Sequence, residues 1–218
     1  YKCIVLAPNS VQEMCDFAML AFELADKYLT PVYVLTDGIV GQMMESVILP
    51  VAVEKKPIPK WALAGTPETS SNFITSIFLE PDDLEAINIK LQEKYNLISE
   101  EEQQCEEIMI DDAEIVIVCY GIVSRIAKEA VQRLRSCGIK AGIIRPITLF
   151  PFPTKALKKI SKASKKILCV EMSNGQMIDD VRLATECSVP VFFHNRMGGN
   201  VPTVEEIASK CVEILRKK

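Results

Sequence analysis

The sequence predicts an α/β protein built on a three-layer, mostly parallel sheet. Two observations lead there. Short apolar runs of strand character alternate along the chain with apolar residues at helical spacing. Those runs are also continuous enough to be buried on both faces, as in a parallel sheet covered by helices. The 218 residues suffice for one large domain or two small ones, each with its own core.

The elements follow in order. Residues 3–7 read as a strand and Pro8 with Asn9 as its turn. Strand character already runs from Tyr1 to Ala7, so a further segment is expected upstream. Ser10 and Glu13 have the spacing of a capping box, in which each satisfies an exposed backbone donor of the other. Met14, Phe17, Ala18, Ala21, Leu24 and Ala25 then form a helical stripe. A second strand is expected at 31–36, turning at Asp37 and Gly38.

From 50 to 81 the character changes. Pro50, Pro57, Pro59, Pro67 and Pro81 fix φ and remove donors, so a linker wrapped over a surface is expected, anchored by Trp61. It is too long for an ordinary connection inside a compact domain. Pro81 suits the first position of a helix, and Leu84, Ile87, Leu91 and Ile98 supply its apolar face. The acidic run 100–107 reads as a solvated helix face.

A second unit begins at Ala113. Strands are expected at 115–119, 141–144, 167–170 and 189–193, and helices at 124–136, 154–163 and 176–184. Gly138 follows the first helix where a left-handed residue is favoured. Thr203 and Glu206 repeat the capping-box spacing at the start of a last helix.

Composition narrows the function classes. Apolar residues make up 49% and charged residues 25%, with a net charge of −4, so neither nucleic acid nor an acidic membrane is an expected partner. Lys155, Lys158, Lys159, Lys162, Lys165 and Lys166 read as a solvated basic face. No apolar run reaches the ~18 residues of a membrane span, and no signal-peptide pattern opens the chain. The eight cysteines contain no C-x-x-C pair and so do not form a cluster or zinc site. Cys3, Cys119 and Cys169 sit in strands as small hydrophobes, which suits a reducing cytoplasm.

In open α/β sheets, ligands and partners meet the carboxyl ends of strands. Gly121 and Ser124 precede a helix N-terminus whose amides could hold an anion. A dinucleotide fingerprint is not formed: one glycine is present instead of three, and Arg145 stands where the acid belongs. Asn174, Gly175 and Gln176, next to Glu171, form a polar strand-to-helix loop that could contact a ligand or partner; the alternative is that Asn174 and Gly175 form a plain turn and Gln176 caps the next helix. Gly198 and Gly199 allow close backbone approach. His194, the single histidine, lacks the partners of a general base or metal cluster, and loop hydrogen bonding accounts for it. No G-x-S-x-G, P-loop or H-E-x-x-H segment occurs.

Several segments in order resemble one family. IVLAPNSVQE (4–13), AFELADKY (21–28) and PVYVL (31–35) resemble the end of the pyrimidine-binding domain of 2-oxoacid:ferredoxin oxidoreductases. LEAINIKLQEKY (84–95) resembles the connector of their alpha subunits. IVCYG (117–121), RPITLFPFP (145–153), EMSNGQ (171–176), DVRLA (180–184) and RMGG (196–199) resemble their transketolase-C-terminal-like domain. PKWALAG (59–65) and LEP (79–81) look most like subunits for branched-chain 2-oxoacids such as 2-oxoisovalerate. The implied organisation is 1–50 as the tail of a pyrimidine-binding domain, 51–107 as linker and connector helix, and 108–218 as the transketolase-C-terminal-like domain.

The resemblance implies oxidative decarboxylation of a 2-oxoacid, acyl transfer to coenzyme A and electron transfer to ferredoxin. Thiamine diphosphate with Mg2+ supplies the carbanion chemistry, and iron–sulfur clusters carry the electrons. The family's activating glutamate and its Tyr-Pro-Ile-Thr-Pro segment lie upstream of the stretch that matches here, so no catalytic residue carries over. The metal-binding signature of thiamine-diphosphate enzymes reads Gly-Asp-Gly with an asparagine downstream. Here Thr36 precedes Asp37 and Gly38, and the next asparagine is Asn72, so these residues read as a turn. Implied partners are the diphosphate-binding beta subunit, the gamma subunit and a ferredoxin-like delta subunit, and the chain alone is expected to be inactive. The open strand edges of the first 50 residues are expected to drive dimerisation or swapping. The rival expectation is a free-standing α/β module binding a small anion or nucleotide at Gly121, Ser124, Gly198 and Gly199.

Overall fold

The computed structural model describes residues 2–51, 57–163 and 165–216; Tyr1, where the first strand was expected to begin, lies outside them. These residues form two compact units, one of 1–48 with 97–218 and one of 49–96.

In the larger unit, β1 (Ile4–Leu6) leads through a turn into α1 (Val11–Tyr28). Ser10 caps this helix by accepting the Glu13 amide at 3.1 Å. The reciprocal half of the expected box is altered: the Glu13 carboxylate accepts from the Asn9 amide at 2.9 Å and otherwise faces Arg145. An arginine offers that carboxylate a stronger, charge-assisted partner than the cap amide does. β2 (Val32–Val34) pairs parallel with β1. The third strand of this small sheet comes from far along the chain, for β6 (Thr148–Phe150) runs antiparallel to β1. Ile4, Leu6, Phe17, Leu24, Tyr28 and Ile98 form the core beneath it.

The five-stranded sheet has the order β3 (Cys105–Ile108), β5 (Ala141–Pro146), β4 (Ile115–Val118), β7 (Lys166–Glu171), β8 (Val191–Asn195). Every pairing is parallel except β3 with β5. β3 corrects the expectation of a helical acidic run. Helix α2 (Pro81–Glu101) ends before it, and Glu106 and Glu107 stand on an edge strand, where charge discourages pairing with another chain. Gly142 permits the neighbouring crossing, since a Cβ there would lie 2.6 Å from the Met109 carbonyl oxygen.

Helices α3 (Gly121–Ser136) and α6 (Val204–Arg216) cover one face through Val123, Ala127, Val131, Ile207, Cys211 and Ile214. α4 (Thr154–Lys162) and α5 (Met177–Ala184) cover the other through Leu157, Ile160, Ile178 and Val181. The result is the expected three-layer arrangement. β8 begins two residues later than predicted because Pro190 cannot donate to the ladder; His194 and Asn195 are therefore strand residues paired with Val170 and Glu171. The capping box at α6 forms as predicted, with Thr203 Oγ1 accepting the Glu206 amide at 3.2 Å and Glu206 accepting the Thr203 amide at 2.9 Å.

In the smaller unit, 57–80 holds one regular stretch, a 3-10 turn over Pro67–Asn72. Asn72 ties it back by donating to the carbonyls of Lys60 at 2.7 Å and Ala62 at 2.9 Å. Among the described residues, no helix is long and apolar enough to cross a membrane.

Candidate functional site: the crevice between β4 and β7

From β4 the chain winds through α3 to β5 on one side, while β7 lies on the other. The gap beyond the carboxyl ends of β4 and β7 is therefore the switch point of the sheet, where α/β proteins hold ligands. A cavity of about 180 Å³ occupies it, lined by Leu35, Thr36, Asp37, Tyr120, Val123, Glu171, Met172 and Ser173. Met172 also borders an adjoining cavity of about 300 Å³ with Gly38, Ile39, Gln42, Gly199, Asn200 and Val201.

Asp37 dominates one wall. Its Oδ1 accepts from the amides of Ile39 at 3.1 Å and Val40 at 2.9 Å, and its Oδ2 from the amide of Ile122 at 2.8 Å. The last bond places a carboxylate at the N-terminus of α3, where the helix dipole favours negative charge. The amides that the sequence offered to an external anion thus face an internal one. Ser124 is engaged as well: its Oγ donates to the Gly121 carbonyl at 2.7 Å and accepts from Asn9 Nδ2 at 3.0 Å.

Glu171 plays the same part opposite. Buried at the end of β7, it accepts from Ser173 Oγ and from the amides of Met177 at 3.1 Å and Ile178 at 3.4 Å. This carboxylate caps α5, and Gln176, at the N-cap position, makes no side-chain cap bond. The correction has a simple cause: a buried carboxylate needs donors, and the free amides of α5 are the nearest. Gly175 takes φ 103° in the intervening turn, and Asn195 Nδ2 braces it through the Ser173 carbonyl at 2.8 Å.

Tyr120 completes the wall between the two acids. Burial, with Glu171 and Asp37 nearby, pushes its phenol above the ordinary tyrosine value, so it remains a neutral hydrogen-bond donor. None of the seven residues singled out from the sequence lines the smaller cavity. Gly121, Ser124, Asn174, Gly175 and Gln176 build the turns behind it, Gly199 lines the adjoining one, and Gly198 takes φ 65° beside it. The residues that do line it, Asp37, Tyr120 and Glu171, are strand-end residues that neighbour the chosen glycines and amides.

Among the described residues no group of three His, Cys, Asp or Glu side chains could hold a metal. Thiamine diphosphate does not fit this crevice. Its volume is below the ~300–1,000 Å³ of cofactor pockets, and two carboxylates would face the diphosphate. The arrangement joins segments and presents a phenol; it does not assemble a nucleophile with a base.

Comparisons with known proteins agree with this architecture. Residues 1–110 match the family described as pyruvate flavodoxin/ferredoxin oxidoreductase, thiamine diP-bdg, and residues 113–207 match pyruvate:ferredoxin oxidoreductase core domain II. The fold resembles that of a 2-oxoglutarate:ferredoxin oxidoreductase from Magnetococcus marinus, solved with 2-oxoglutarate, coenzyme A and succinyl-CoA bound. The TM-score is 0.78 at 22% identity, over 98% of this chain and 42% of that one. A split-gene transketolase also matches, with TM-score 0.53 at 15% identity over 98% of this chain and 57% of that one. The class is thus an α/β chain in which a transketolase-C-terminal-like sheet follows part of a thiamine-diphosphate-binding domain.

The chain belongs to the 2-oxoacid:ferredoxin oxidoreductase family. It is 52% identical over 215 residues to the ketoisovalerate oxidoreductase subunit VorB of Methanothermobacter marburgensis, covering 98% of this chain and 61% of that protein. It is 35% identical over 232 residues to the 2-oxoglutarate synthase subunit KorA of Methanocaldococcus jannaschii, covering 95% and 62%. The chain therefore spans about three fifths of the length of these curated relatives.

Proposed function

We propose that this chain is part of the alpha subunit of an oxidoreductase that converts a branched-chain 2-oxoacid, such as 2-oxoisovalerate, to its acyl-CoA while reducing ferredoxin. The 52% identity to a ketoisovalerate oxidoreductase subunit along 98% of the chain carries this reading. In it, residues 1–50 are the tail of a pyrimidine-binding domain, 51–107 a connector, and 108–218 a structural domain that docks partner subunits. Thiamine diphosphate, Mg2+, coenzyme A and iron–sulfur clusters belong to the whole cytoplasmic complex, with beta, gamma and ferredoxin-like delta subunits. The loops at Asn174, Gly175, Gln176, Gly198 and Gly199 serve as partner contacts at the open end of the sheet.

The test is turnover of the intact complex with 2-oxoisovalerate, 2-oxoglutarate and pyruvate, in the presence of coenzyme A and an electron acceptor. A kcat/KM at least tenfold higher for 2-oxoisovalerate is expected. Equal or better use of 2-oxoglutarate would move the chain to the KorA type. The rival reading, a free-standing anion-binding module, is opposed by Asp37, whose carboxylate already holds the Ile122 amide. Phosphate binding by the chain alone would revive it.

A further inference from the structure

His194 carries a buried nitrogen with nothing to bond. Its Nε2 is sealed from water without a hydrogen-bond partner, although buried polar atoms in folded proteins are nearly always paired. The sealing atoms are this chain's own, so the observation does not depend on what covers the rest of the surface. Glu206 Oε2, in the first turn of α6, lies 4.0 Å away, too far for a hydrogen bond. That same oxygen accepts the Thr203 amide at 2.9 Å as half of the α6 capping box, while Glu206 Oε1 holds Arg196.

A neutral imidazole can leave Nε2 without a proton and then makes no demand on Glu206. An imidazolium bears a proton on each nitrogen, and its bond to a carboxylate is stronger than that of a neutral amide. We propose that His194 and Glu206 form a proton-operated catch: when His194 takes up a proton from solvent, Glu206 leaves the Thr203 amide for the imidazolium and the 196–203 turn loosens. That turn carries Gly199, Asn200 and Val201, which wall the cavity of about 300 Å³ beside the crevice. Burial favours the neutral imidazole at neutral pH, with Glu206 opposing and Arg196 and Lys210 adding. Lys210 is itself paired with Glu213 at 2.9 Å. His194 alternates with Phe192 along β8 and so shares its face, which β7 and the residue after it meet with uncharged Leu168, Val170 and Met172. Helix α5 packs on the opposite face with Phe193. The inference is independent of which 2-oxoacid the enzyme uses and of which partners it docks.

The experiment is hydrogen–deuterium exchange read by mass spectrometry on the intact complex between pH 7.5 and 5.0, with labelling times scaled for the intrinsic pH dependence of amide exchange. Peptides covering 196–207 should lose protection by roughly fivefold, the size expected for loss of a helix cap, while peptides from α3 keep theirs. His194→Gln removes the titrating group and Glu206→Gln removes the charge that answers it, so each should abolish the pH dependence. Native protection of α3 at pH 7.5 reports that each variant is folded. Protection at 196–207 that does not change with pH, that falls equally in α3, or that falls as much in His194→Gln as in the native complex would overturn the inference.

Discussion

Asp37 and Gly121 are an interlocked pair. Asp37 Oδ2 accepts the amide of Ile122 at 2.8 Å, and a Cβ on Gly121 would stand 2.5 Å from that same oxygen. Gly121 also takes φ 58°, a conformation costly for residues with a side chain. The first 48 residues are thereby fastened to the start of α3 through one carboxylate and one missing methyl group.

Gly121→Ala should therefore destabilise the chain by about 2–3 kcal/mol, through clash and left-handed strain together. Asp37→Ala should cost about 1–2 kcal/mol, as loss of a helix cap does. In the double variant the clash disappears with the carboxylate, so the combined loss should be smaller than the two single losses added. Chemical denaturation of all four proteins checks this. Strict additivity would mean that the pair is not coupled.

Arg145 is a second fastening. Its side chain is 3% exposed and its two terminal nitrogens each lie 2.7 Å from a Glu13 oxygen. Its Nε stands 3.0 Å from Glu106, near enough for ion pairing but off the N–H line, so that atom has no hydrogen bond. Arg145→Ala leaves carboxylates without their cation, for which buried pairs lose ~3–5 kcal/mol. Both glutamates are partly exposed, so a loss of about 2–3 kcal/mol is expected, with Arg145→Met losing less because it refills the space. Urea midpoints of the two variants test the order, and equal losses would show that the missing charge alone sets the cost and the refilled space contributes nothing.

Tyr28 makes stability depend on alkaline pH. Its hydroxyl lies 2.6 Å from Glu102 and 3.0 Å from Glu101, and burial, reinforced by the Glu102 contact, pushes its phenol up to about 12. A raised pKa means that the folded state holds the proton more tightly than the unfolded chain. The stabilisation is complete below the ordinary value near 10 and fades as pH rises from there toward 12. Tyr28→Phe should flatten the stability profile in that window, as followed by thermal unfolding between pH 9 and 12. A variant retaining the full alkaline decline would show that another group is responsible.

The single histidine allows a clean titration. Burial holds His194 below the ordinary value of 6.5; Arg196 and Lys210 add to the shift, and Glu206 opposes it. Its Nε2 is buried without a hydrogen-bond partner, and Glu206 lies 4.0 Å away. A lowered pKa costs stability as pH falls from 6.5 through the folded value, because the unfolded chain takes up the proton first. Proton NMR of the imidazole should give a midpoint below 6.5, and His194→Gln should remove the corresponding acid-side loss. A midpoint above 6.5 would mean that the Glu206 attraction outweighs burial.

The sequence by itself determined the alternation of elements, the layers and the family. Runs such as 115–118 announce a buried parallel strand because every side chain on them is apolar. The spacings at Ser10 and Thr203 announce helix starts because a cap is a local arrangement of four residues. The order of resembling segments named the family before any geometry was known.

What only tertiary structure decided were the relationships between distant residues. β3 is hidden in an acidic run, since its pairing with β5 is a property of the partner and not of Glu106 or Glu107. β6 is hidden between prolines because its ladder partner β1 lies more than a hundred residues earlier. The roles of Asp37, Glu171 and Arg145 follow the same rule. A charged side chain in sequence reads as solvated, and it becomes structural only when folding removes water and brings helix amides or an opposite charge into reach.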